Sequence, residues 1–564
     1  MTGSITQLRV GDESFLVSSM IERCPKVMML RELVRNAVEA AATAPPGRRL
    51  VRLSAVAIDG VPKLAIWNTG RGMDAAELFR MCDIASSIRK EHRLDQNFGM
   101  GAKVASLPSN RHGLRYRSCH DGMVHEVLLG YRDGVYGRLR RQAADGSWAD
   151  VVEATAAAAG EGRDAASDWT EVVLFGNAPG QDTLRDPYAG TPAMPGHWLP
   201  EELAYRFFRI EDGVELLLEH EGRRFEPLAE RIPRHYTRHA TVTLPDGMGL
   251  HYVYDAPLPH APEQSAAGRG ALHPLHGSCG LIYKDELYDV HRRHDWLHVA
   301  PIFGIPFGAR HLSVFIELPD SHGVVPDGYR QFLRYAGDSQ DEVSCRHFAA
   351  LVHRNRPSWL IDIIDEQAPS ARVSAEVYDD LGRLLRALKV PRRTRAVPTQ
   401  APPAAHDPQP DTAAQPGQPD EPPPGDPPER FDAEPPPEIL ILRDAQEIAA
   451  RGVHERAGRY YPETHQLFLN GFYQAVQEMR DTLLAEFAWV PDQDRLRREA
   501  LALAEQTMAA RVGRMLVFAL SKQGRWPDQD INQSCSVQAL SLAADDLAAS
   551  LPAARVRLDS LIVS

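Results

Sequence analysis

"IWNTGRGMD" (residues 66–74) decides the fold assignment, because two glycines flank an arginine directly after an apolar strand pattern. Glycine lets the backbone turn at low steric cost, so a simple turn would explain Gly70 and Gly72. Two other stretches change that reading: "LRELVRNAVEAA" (30–41) lies upstream and "QNFGMGAKVASL" (96–107) lies downstream, within the length of one domain. In this order, the three stretches indicate a functional site rather than a turn alone.

The composition is that of a globular chain with several domains. Its 564 residues exceed what one core supports, and 43% hydrophobic with 25% charged residues is ordinary for such a chain. The formal net charge of −13 disfavours a protein that coats nucleic acid over its whole surface, but it allows a local basic groove. Six widely spaced cysteines without a C-x-x-C pair argue against a disulfide framework and a zinc ribbon. The start of the sequence lacks a secretion-signal pattern and no apolar run is of bilayer length, so we expect a cytoplasmic protein without membrane contact.

Local patterns predict a mixed α+β fold. Apolar residues at helical spacing in "PKVMMLRELVRNAVEAAATA" (25–44) predict a helix, and the Asp59-Gly60 pair between two apolar runs predicts a β-hairpin. Asp74 is placed to cap a second helix, and further strands are expected in "RYRSCH", "VHEVLLGYR" and "DWTEVVLFGN".

Changes in composition divide the chain into four parts. Residues 1–185 and 186–390 each mix strand and helix patterns, and the second part ends in the helical run "AEVYDDLGRLLRALKV". Residues 391–437 are rich in Pro, Ala, Asp and Glu, which predicts a disordered linker. Amphipathic patterns in residues 438–564 predict a small all-α domain.

The three motifs carry groups suited to nucleotide chemistry. Glu32, Asn36 and Glu39 share one face of the predicted helix, where a carboxylate can align a water and an amide oxygen can bind Mg²⁺. A solvated stripe on an amphipathic helix is the alternative reading of these three residues. Downstream, glycines can let backbone N–H groups approach phosphate oxygens, and Lys103 adds a cation. The chain has no G-x-x-x-x-G-K-[ST] motif, so it is not a P-loop protein.

"ELVRNAVEA", "NTGRGM" and "NFGMGAKVASL", taken in this order, resemble the signature of the GHKL superfamily. This superfamily includes gyrase B, the heat-shock chaperone ATPase, MutL, microrchidia ATPases and sensor histidine kinases. The resemblance implies a Bergerat-type site for ATP and Mg²⁺, built from helices on an antiparallel-rich mixed sheet. It covers residues 25–107 closely, extends plausibly to 176, and implies a second, transducer-like α/β domain at 186–390.

By position, the resemblance implies that Glu32 is the general base for hydrolysis and Asn36 is the Mg²⁺ ligand. It also implies that Asn68 contacts adenine, that Gly70, Gly72 and Met73 shape the adenine pocket, and that Thr170 helps to bind adenine. Gly99, Gly101 and Lys103 would hold phosphates under a lid of residues 84–98, and Met100 is a further nucleotide-binding residue. A basic residue of the second domain would reach the γ-phosphate, and Lys284 and Arg330 are the two alternatives.

Three positions depart from the family pattern. Asn68 stands where Asp is usual, Gln96 stands where some members have glycine, and Trp169 precedes Thr170 in place of glycine. An Asn side chain offers both a donor and an acceptor, so an amide that rotates could also pair with guanine. Relaxed base specificity is therefore a hypothesis that follows from Asn68.

The resemblance favours an ATP-gated dimeric clamp over a histidine kinase, because few residues precede the first motif and a base residue is present. Among clamps, a microrchidia-like, DNA-linked role in genome maintenance or defence is the first hypothesis. A chaperone-like clamp that remodels protein clients and a nucleotide-switched scaffold that barely hydrolyses ATP are the alternatives.

Two residue patterns bear on partners. A basic run at the end of the second domain could contact double-stranded DNA or be a solvated face; it comprises Arg383, Arg386, Lys389, Arg392, Arg393 and Arg395. A near-heptad stripe near the C-terminus could form a dimer contact, although packing inside its own domain is the preferred reading; it comprises Leu501, Ala504, Met508, Val512, Met515 and Ala519.

Overall fold

A computed structural model describes residues 11–84, 101–195, 198–258, 261–265, 277–337, 341–367, 373–392 and 433–563. The chain is of mixed α+β class and divides into two compact units. Unit 1 comprises Met1–Val290 and His311–Cys345, and unit 2 comprises His291–Arg310 and Arg346–Ser564. This division differs from the predicted boundaries, because residues 186–390 contribute to both units. Most of the predicted linker, residues 393–432, lies outside the described residues.

Unit 1 is built on a nine-stranded sheet in the order β11-β10-β1-β2-β9-β3-β4-β5, with β8 also paired to β4. The strands in the first half of unit 1, where β6 and β7 pair only with each other, are β1 Leu50–Ile58, β2 Val61–Asn68, β3 Gly113–His120, β4 Met123–Arg132, β5 Val135–Arg138, β6 Arg141–Gln142, β7 Trp148–Ala149, β8 Val151–Glu153, β9 Trp169–Gly176, β10 Glu215–Leu218 and β11 Arg223–Arg224. The α-helices of unit 1 are α1 Glu13–Arg23, α2 Met28–Ala41, α3 Ala75–Met81, α4 Gly101–Ser106, α5 Thr155–Gly160, α6 Trp198–Ala204 and α7 Leu228–His235.

The predicted local elements around the motifs are confirmed. The strands β1 and β2 form an antiparallel hairpin in which Asp59 and Gly60 adopt φ values of 50° and 77°, as the tight turn requires. Asp74 caps α3 through a capping box with Glu77. Thr155–Gly160, a run of mainly alanine, forms the short helix α5, since alanine favours helix.

One face of the large sheet packs against α2. Alternation along β3 places Leu114 and Tyr116 in the same core cluster as the apolar side of α2. On the opposite face, Arg115 and Arg117 are buried, and Arg117 pairs with the buried Glu126. The helix-bearing face therefore holds the apolar core, and the other face holds a charged cluster.

A second sheet of unit 1 has the order β12-β13-β18-β16-β17. The remaining strands of unit 1, including the pair β14-β15 and the three-stranded sheet β19-β20-β21, are β12 Arg238–Thr243, β13 Gly249–Tyr254, β14 Pro257–Leu258, β15 Ala261–Ser265, β16 Ser278–Tyr283, β17 Glu286–Arg292, β18 Leu312–Glu317, β19 Val324–Pro326, β20 Leu333–Tyr335 and β21 Glu342–Val343. The run 279–290 forms the hairpin β16-β17 because Lys284 and Asp285 turn the chain with positive φ.

Unit 2 combines a small sheet with many helices. Its elements are α8 His294–Val299, α9 Ala349–Arg354, α10 Ser358–Gln367, α11 Ala375–Ala387, β22 Glu438–Leu442, α12 Ala445–Ala450, β23 Gly458–Tyr461, β24 Gln466–Asn470, α13 Gln474–Glu486, α14 Gln493–Leu520, α15 Asp528–Ser534, α16 Val537–Asp545 and α17 Leu551–Val563. The strands pair in the order β22-β24-β23. The region 438–564 is mainly helical, but the prediction that it is all-α is wrong: two short apolar runs, 438–442 and 466–470, form paired strands.

The near-heptad stripe of α14 packs inside unit 2, which confirms the prediction that it packs within its own domain. Ala504, Met508 and Val512 are fully buried in its core cluster, and Leu501 and Met515 pack against that cluster.

Two further observations concern the whole described chain. None of the six cysteines, all of which lie among the described residues, forms a disulfide. Among the helices that the structure describes, none combines the length and the apolar character needed to cross a bilayer.

Candidate functional site

Glu32 is a buried acid of unit 1. It lies on α2 with 3% of its surface exposed, and its Oε1 accepts a hydrogen bond from Arg31. Its Oε2 is buried and has no hydrogen-bond partner among the described residues. A buried carboxylate oxygen without a partner is costly, so it points to a group that is bound there when the site is in use.

Gly101, the first residue of α4, lies directly against this carboxylate. A Cβ added at Gly101 would overlap Glu32 Oε2 and lie 2.6 Å from Glu32 Cδ. A side chain at position 101 would therefore require the Glu32 carboxylate or the start of α4 to move. The structure thus brings together the predicted base of the first motif and the predicted phosphate segment of the third.

Asn36 and Glu39 follow Glu32 on the same helix. Asn36 lies one turn further along α2 and is half-buried. Glu39 is half-buried as well, and it accepts a hydrogen bond from Arg35 Nε at 3.0 Å. The stripe therefore has two parts: Glu32 belongs to the buried site, and Glu39 forms a partly exposed ion pair.

Arg31 and Glu286 form the charged support of Glu32. Arg31 donates from Nε and Nη2 to Glu286 at 2.7 and 2.6 Å, and from Nη1 to Glu32. Burial alone would lower the pKa of Arg31, but the carboxylates of Glu286 and Glu32 outweigh it and raise that pKa. Sequence reasoning missed both residues. Arg31 is signalled only by adjacency to Glu32, and Glu286 lies on β17, far away in sequence.

A polar row crosses three neighbouring strands near the second motif. Asn68, Thr170 and Ser118 are register partners on β2, β9 and β3. Thr170 Oγ1 lies 2.8 Å from Ser118 Oγ, which accepts a hydrogen bond from the Met73 N–H at 2.8 Å. Ser118 was missed from the sequence, although it stands opposite Thr170 in the expected strands. The row ties the "NTGRGM" segment to the ends of three central strands, where the resemblance implies adenine.

Gly70 and Gly72 are explained by close packing rather than by turning. Both glycines lie among the described residues, and neither has a positive φ. A Cβ at Gly70 would lie 2.5 Å from the carbonyl carbon of Ala40 on α2, and one at Gly72 would lie 2.5 Å from that of Cys119 on β3. Protein backbone thus fills the space beside both glycines, so they are not by themselves a sign of a purine.

The Asn68 amide is held in one orientation. Its Oδ1 accepts from the Gly70 N–H at 3.0 Å, and its Nδ2 donates to the Thr170 carbonyl at 3.2 Å. In a rotated amide, Nδ2 would face the Gly70 N–H and Oδ1 would face the Thr170 carbonyl, so both hydrogen bonds would be lost. Rotation therefore cannot be the origin of relaxed base specificity. One Nδ2 hydrogen and one Oδ1 lone pair remain for a ligand.

We expect Asn68→Asp to lower the free energy of unfolding by about 1–3 kcal/mol at neutral pH, because a carboxylate oxygen would face the Thr170 carbonyl. Chemical denaturation of both proteins measures this. Asn68→Ser, which is smaller but can still donate, serves as a comparison. Equal stability of wild type and Asn68→Asp would contradict the described amide contacts.

Lys103 lies on α4 and is almost fully buried. Its ammonium donates to the Met81 carbonyl and, at 2.6 Å, to the Asp83 carbonyl. Burial lowers the pKa of Lys103 to about 8. In this structure the predicted phosphate-binding cation therefore satisfies carbonyls at the C-terminal end of α3, just before residues 85–100.

The pKa of Lys103 predicts a pH-dependent contribution to stability. The unfolded chain holds this proton up to a pKa near 10.4, so between about pH 8 and 10.4 it binds more protons than the folded chain. The unfolding free energy of wild type should therefore rise with pH in this window relative to Lys103→Met. Denaturation at pH 7, 8, 9 and 10 measures the difference, and a flat difference would contradict the buried placement.

The two alternatives for the second-domain cation differ in placement. Lys284 is exposed in the turn between β16 and β17, with its ammonium 5.4 Å from the centre of the Tyr283 ring. Arg330 is half-buried, with φ 56°, in a turn whose backbone N–H groups donate to the Asp327 carboxylate.

Arg330 belongs to the electrostatic surroundings of Arg31. Burial and the Glu286 charge raise the pKa of the Tyr288 hydroxyl and the charges of Arg31 and Arg330 oppose them, with a net pKa of about 12. The Tyr288 hydroxyl thus lies within range of the charges of Glu286, Arg31 and Arg330.

Several predicted positions lie outside the described residues: Gly99, Met100, Gln96 and residues 85–98 of the predicted lid. The Trp169 departure is described. Its ring packs with Cys119 and Val124, and its indole N–H donates to the Asp164 carbonyl at 2.7 Å. Trp169 thus lies on the opposite face of the sheet from Thr170.

Comparison with known proteins gives no match for this chain, either to a protein-family model or to a curated protein sequence. The chemistry of the site must therefore be argued from its own residues. These are a buried acid with one open oxygen, an amide one turn away, and a separate polar row between strands and "NTGRGM".

Proposed function

We propose that this chain binds ATP and hydrolyses it to ADP and phosphate, with Glu32 as the general base. The observation that carries the proposal is the buried Oε2 of Glu32, which has no hydrogen-bond partner among the described residues and lies against Gly101 at the start of α4. A general base needs a lone pair that no protein donor occupies, and a glycine neighbour lets the backbone come close to it.

The proposed role of each site residue follows from the chemistry of its side chain. Glu32 accepts the proton of the attacking water, and Arg31 holds its other oxygen so that Oε2 keeps one direction. Asn36, half-buried one turn away, is the proposed ligand of Mg²⁺, for which an amide oxygen is suitable. Bound Mg²⁺ would neutralise phosphate charge. The half-buried amide oxygen of Asn36 fits such an ion, and Glu32 Oε2 remains for the attacking water.

The polar row is the proposed adenine end of the site. Asn68 retains one donor hydrogen and one acceptor lone pair on a fixed amide, and Thr170 and Ser118 stand beside it. Competition between ATP and GTP tests base specificity. A strong preference for ATP that is unchanged in Asn68→Asp would refute a role of the amide in relaxing it.

The GHKL resemblance supports a wider proposal, that of an ATP-gated dimeric clamp with a DNA-linked role. The predicted DNA contact is only partly described, since Arg393 and Arg395 lie outside the described residues, and Arg383 lies 3.6 Å from Asp380. A chaperone-like clamp for protein clients and a non-hydrolysing scaffold are the outcomes that the experiment distinguishes.

Steady-state phosphate release with Mg²⁺, with and without double-stranded DNA at two salt concentrations, tests these proposals. Stimulation by DNA only at low salt supports a DNA-linked clamp, because phosphate contacts weaken as salt rises. Turnover that is indifferent to DNA supports the chaperone-like clamp. ATP binding without turnover supports the scaffold, and chelation of Mg²⁺ should abolish turnover in the first two cases.

A further inference from the structure

Glu286 occupies a fixed position at the start of β17. It follows the turn formed by Lys284 and Asp285, whose φ values are 48° and 66°, and only 2% of its surface is exposed. A buried glutamate at the first residue of a strand is a costly choice unless its charge is used. Its hydrogen-bond partner is Arg31, the residue before the proposed base, and Arg35 Nε lies 3.9 Å from its Oε1.

Backbone contacts join this position to the rest of unit 1. The N–H groups of Phe208 and Arg209 donate to the Asp285 carbonyl at 2.9 and 3.1 Å. The preceding ring, Phe207, packs in the core of the nine-stranded sheet, whereas Phe208 packs in the core cluster beside the second sheet. The position of Glu286 therefore follows the second sheet, and the segment 207–209 links that sheet to the first.

The hydrogen bonds divide the guanidinium of Arg31 between two acids. The edge formed by Nε and Nη2 binds both oxygens of Glu286, and Nη1 alone reaches Glu32 Oε1. This arrangement leaves Glu32 Oε2 open. A guanidinium edge matches a carboxylate bidentately, so an Arg31 freed from Glu286 can turn that edge to Glu32 and occupy both of its oxygens.

We propose that Glu286 is a positioning residue for hydrolysis: by occupying the bidentate edge of Arg31, it keeps one oxygen of Glu32 open, and it lets the second sheet control the proposed base. This inference rests on the proposed ATP hydrolysis. Displacement of β17 away from α2 releases Arg31 onto Glu32 and stops turnover, without removing any group that contacts nucleotide.

Glu286→Gln tests the inference, because it removes the charge and keeps the size. We expect kcat to fall at least tenfold, while the Kd for a non-hydrolysable ATP analogue stays within twofold. Glu505→Gln is the matched control. Glu505 lies on α14 of unit 2 with 2% of its surface exposed, and its two oxygens accept hydrogen bonds from Arg443 Nε and Nη2 at 2.9 and 2.5 Å. Its kcat should stay within twofold of wild type.

A double variant tests whether Glu286 acts through Arg31. Arg31→Lys keeps the charge but has no bidentate edge, so adding Glu286→Gln to it should lower kcat no further. Unchanged kcat in Glu286→Gln, or fully multiplicative losses in the double variant, would overturn the inference.

Two further measurements distinguish a failure of this inference from a folding defect of the variant and from a failure of the proposed ATP hydrolysis. If Glu286→Gln does not fold, Glu286→Asp, which keeps the charge but shortens its reach, should give a partial loss of kcat, and wild-type kcat would overturn the inference. If wild type itself releases no phosphate, the proposed function fails. Normal wild-type turnover with an insensitive Glu286 refutes the inference alone.

Discussion

Glu32→Gln should lower kcat for ATP hydrolysis by about 10²–10⁴-fold, because the amide cannot accept the proton that a general base removes. The substitution keeps the shape of the side chain. Arg31 keeps its bidentate partner Glu286, so the buried charge remains paired and the protein should fold. Nucleotide affinity should change little, since the open oxygen of Glu32 is proposed to act on water rather than on ATP. Phosphate release and equilibrium ATP binding, measured on the same preparation, give both quantities.

Glu39→Gln is the control for this experiment. It changes the same residue type on the same helix, but at a partly exposed position paired with Arg35. We expect its kcat to stay within about twofold of wild type, as is usual for a partly exposed ion pair. Equal losses in Glu32→Gln and Glu39→Gln would show that helix charge, not a base, is being measured.

Gly101→Ala should produce the second large effect. The added Cβ would overlap Glu32 Oε2, so either the carboxylate or the start of α4 must move. Displacement of a reacting group by about 1 Å costs roughly 10²-fold in rate, and overpacking a buried site costs about 1–3 kcal/mol. We therefore expect kcat to fall about 10²-fold and the free energy of unfolding to fall by about 1–3 kcal/mol. Phosphate release and chemical denaturation measure the two effects.

Two comparison variants identify the cause of that effect. Gly137→Ala places a methyl group on β5 of the nine-stranded sheet, where nothing lies within 4 Å, so it should leave kcat and the free energy of unfolding nearly unchanged. In a Glu32→Ala background, Gly101→Ala should cost little stability because the clashing carboxylate is gone. The same stability loss in both backgrounds would mean that Gly101 does not pack against Glu32.

The local elements of unit 1 were predictable because their signals are local. The Asp59-Gly60 turn and the cap at Asp74 each depend on a few adjacent residues, and both are confirmed. The strands of 438–470 were missed because short apolar runs do not distinguish strand from buried helix. Strand β10 lies in the predicted second domain but pairs with β1, and sequence alone does not specify long-range pairing of this kind.

The site was predictable in part for the same reason. Motif order led to Glu32 and Gly101 as members of one site, and the structure places them in contact. The reason for Gly70 and Gly72 was not predictable, since it depends on backbone from α2 and β3 that approaches in the folded chain. The role of Glu286 could not be predicted from the sequence, because no local pattern links a residue of β17 to Arg31.

The binding of ATP to the wild-type chain tests the central claim most directly. Isothermal titration calorimetry with Mg²⁺ should show one ATP bound per chain, with affinity weakened at least about tenfold by Asn36→Ala through loss of the proposed Mg²⁺ ligand. Phosphate should then appear in the same sample, with Glu32→Gln binding ATP but releasing phosphate at least about 10²-fold more slowly. Absence of ATP binding at millimolar concentration in a folded wild-type protein would contradict the account.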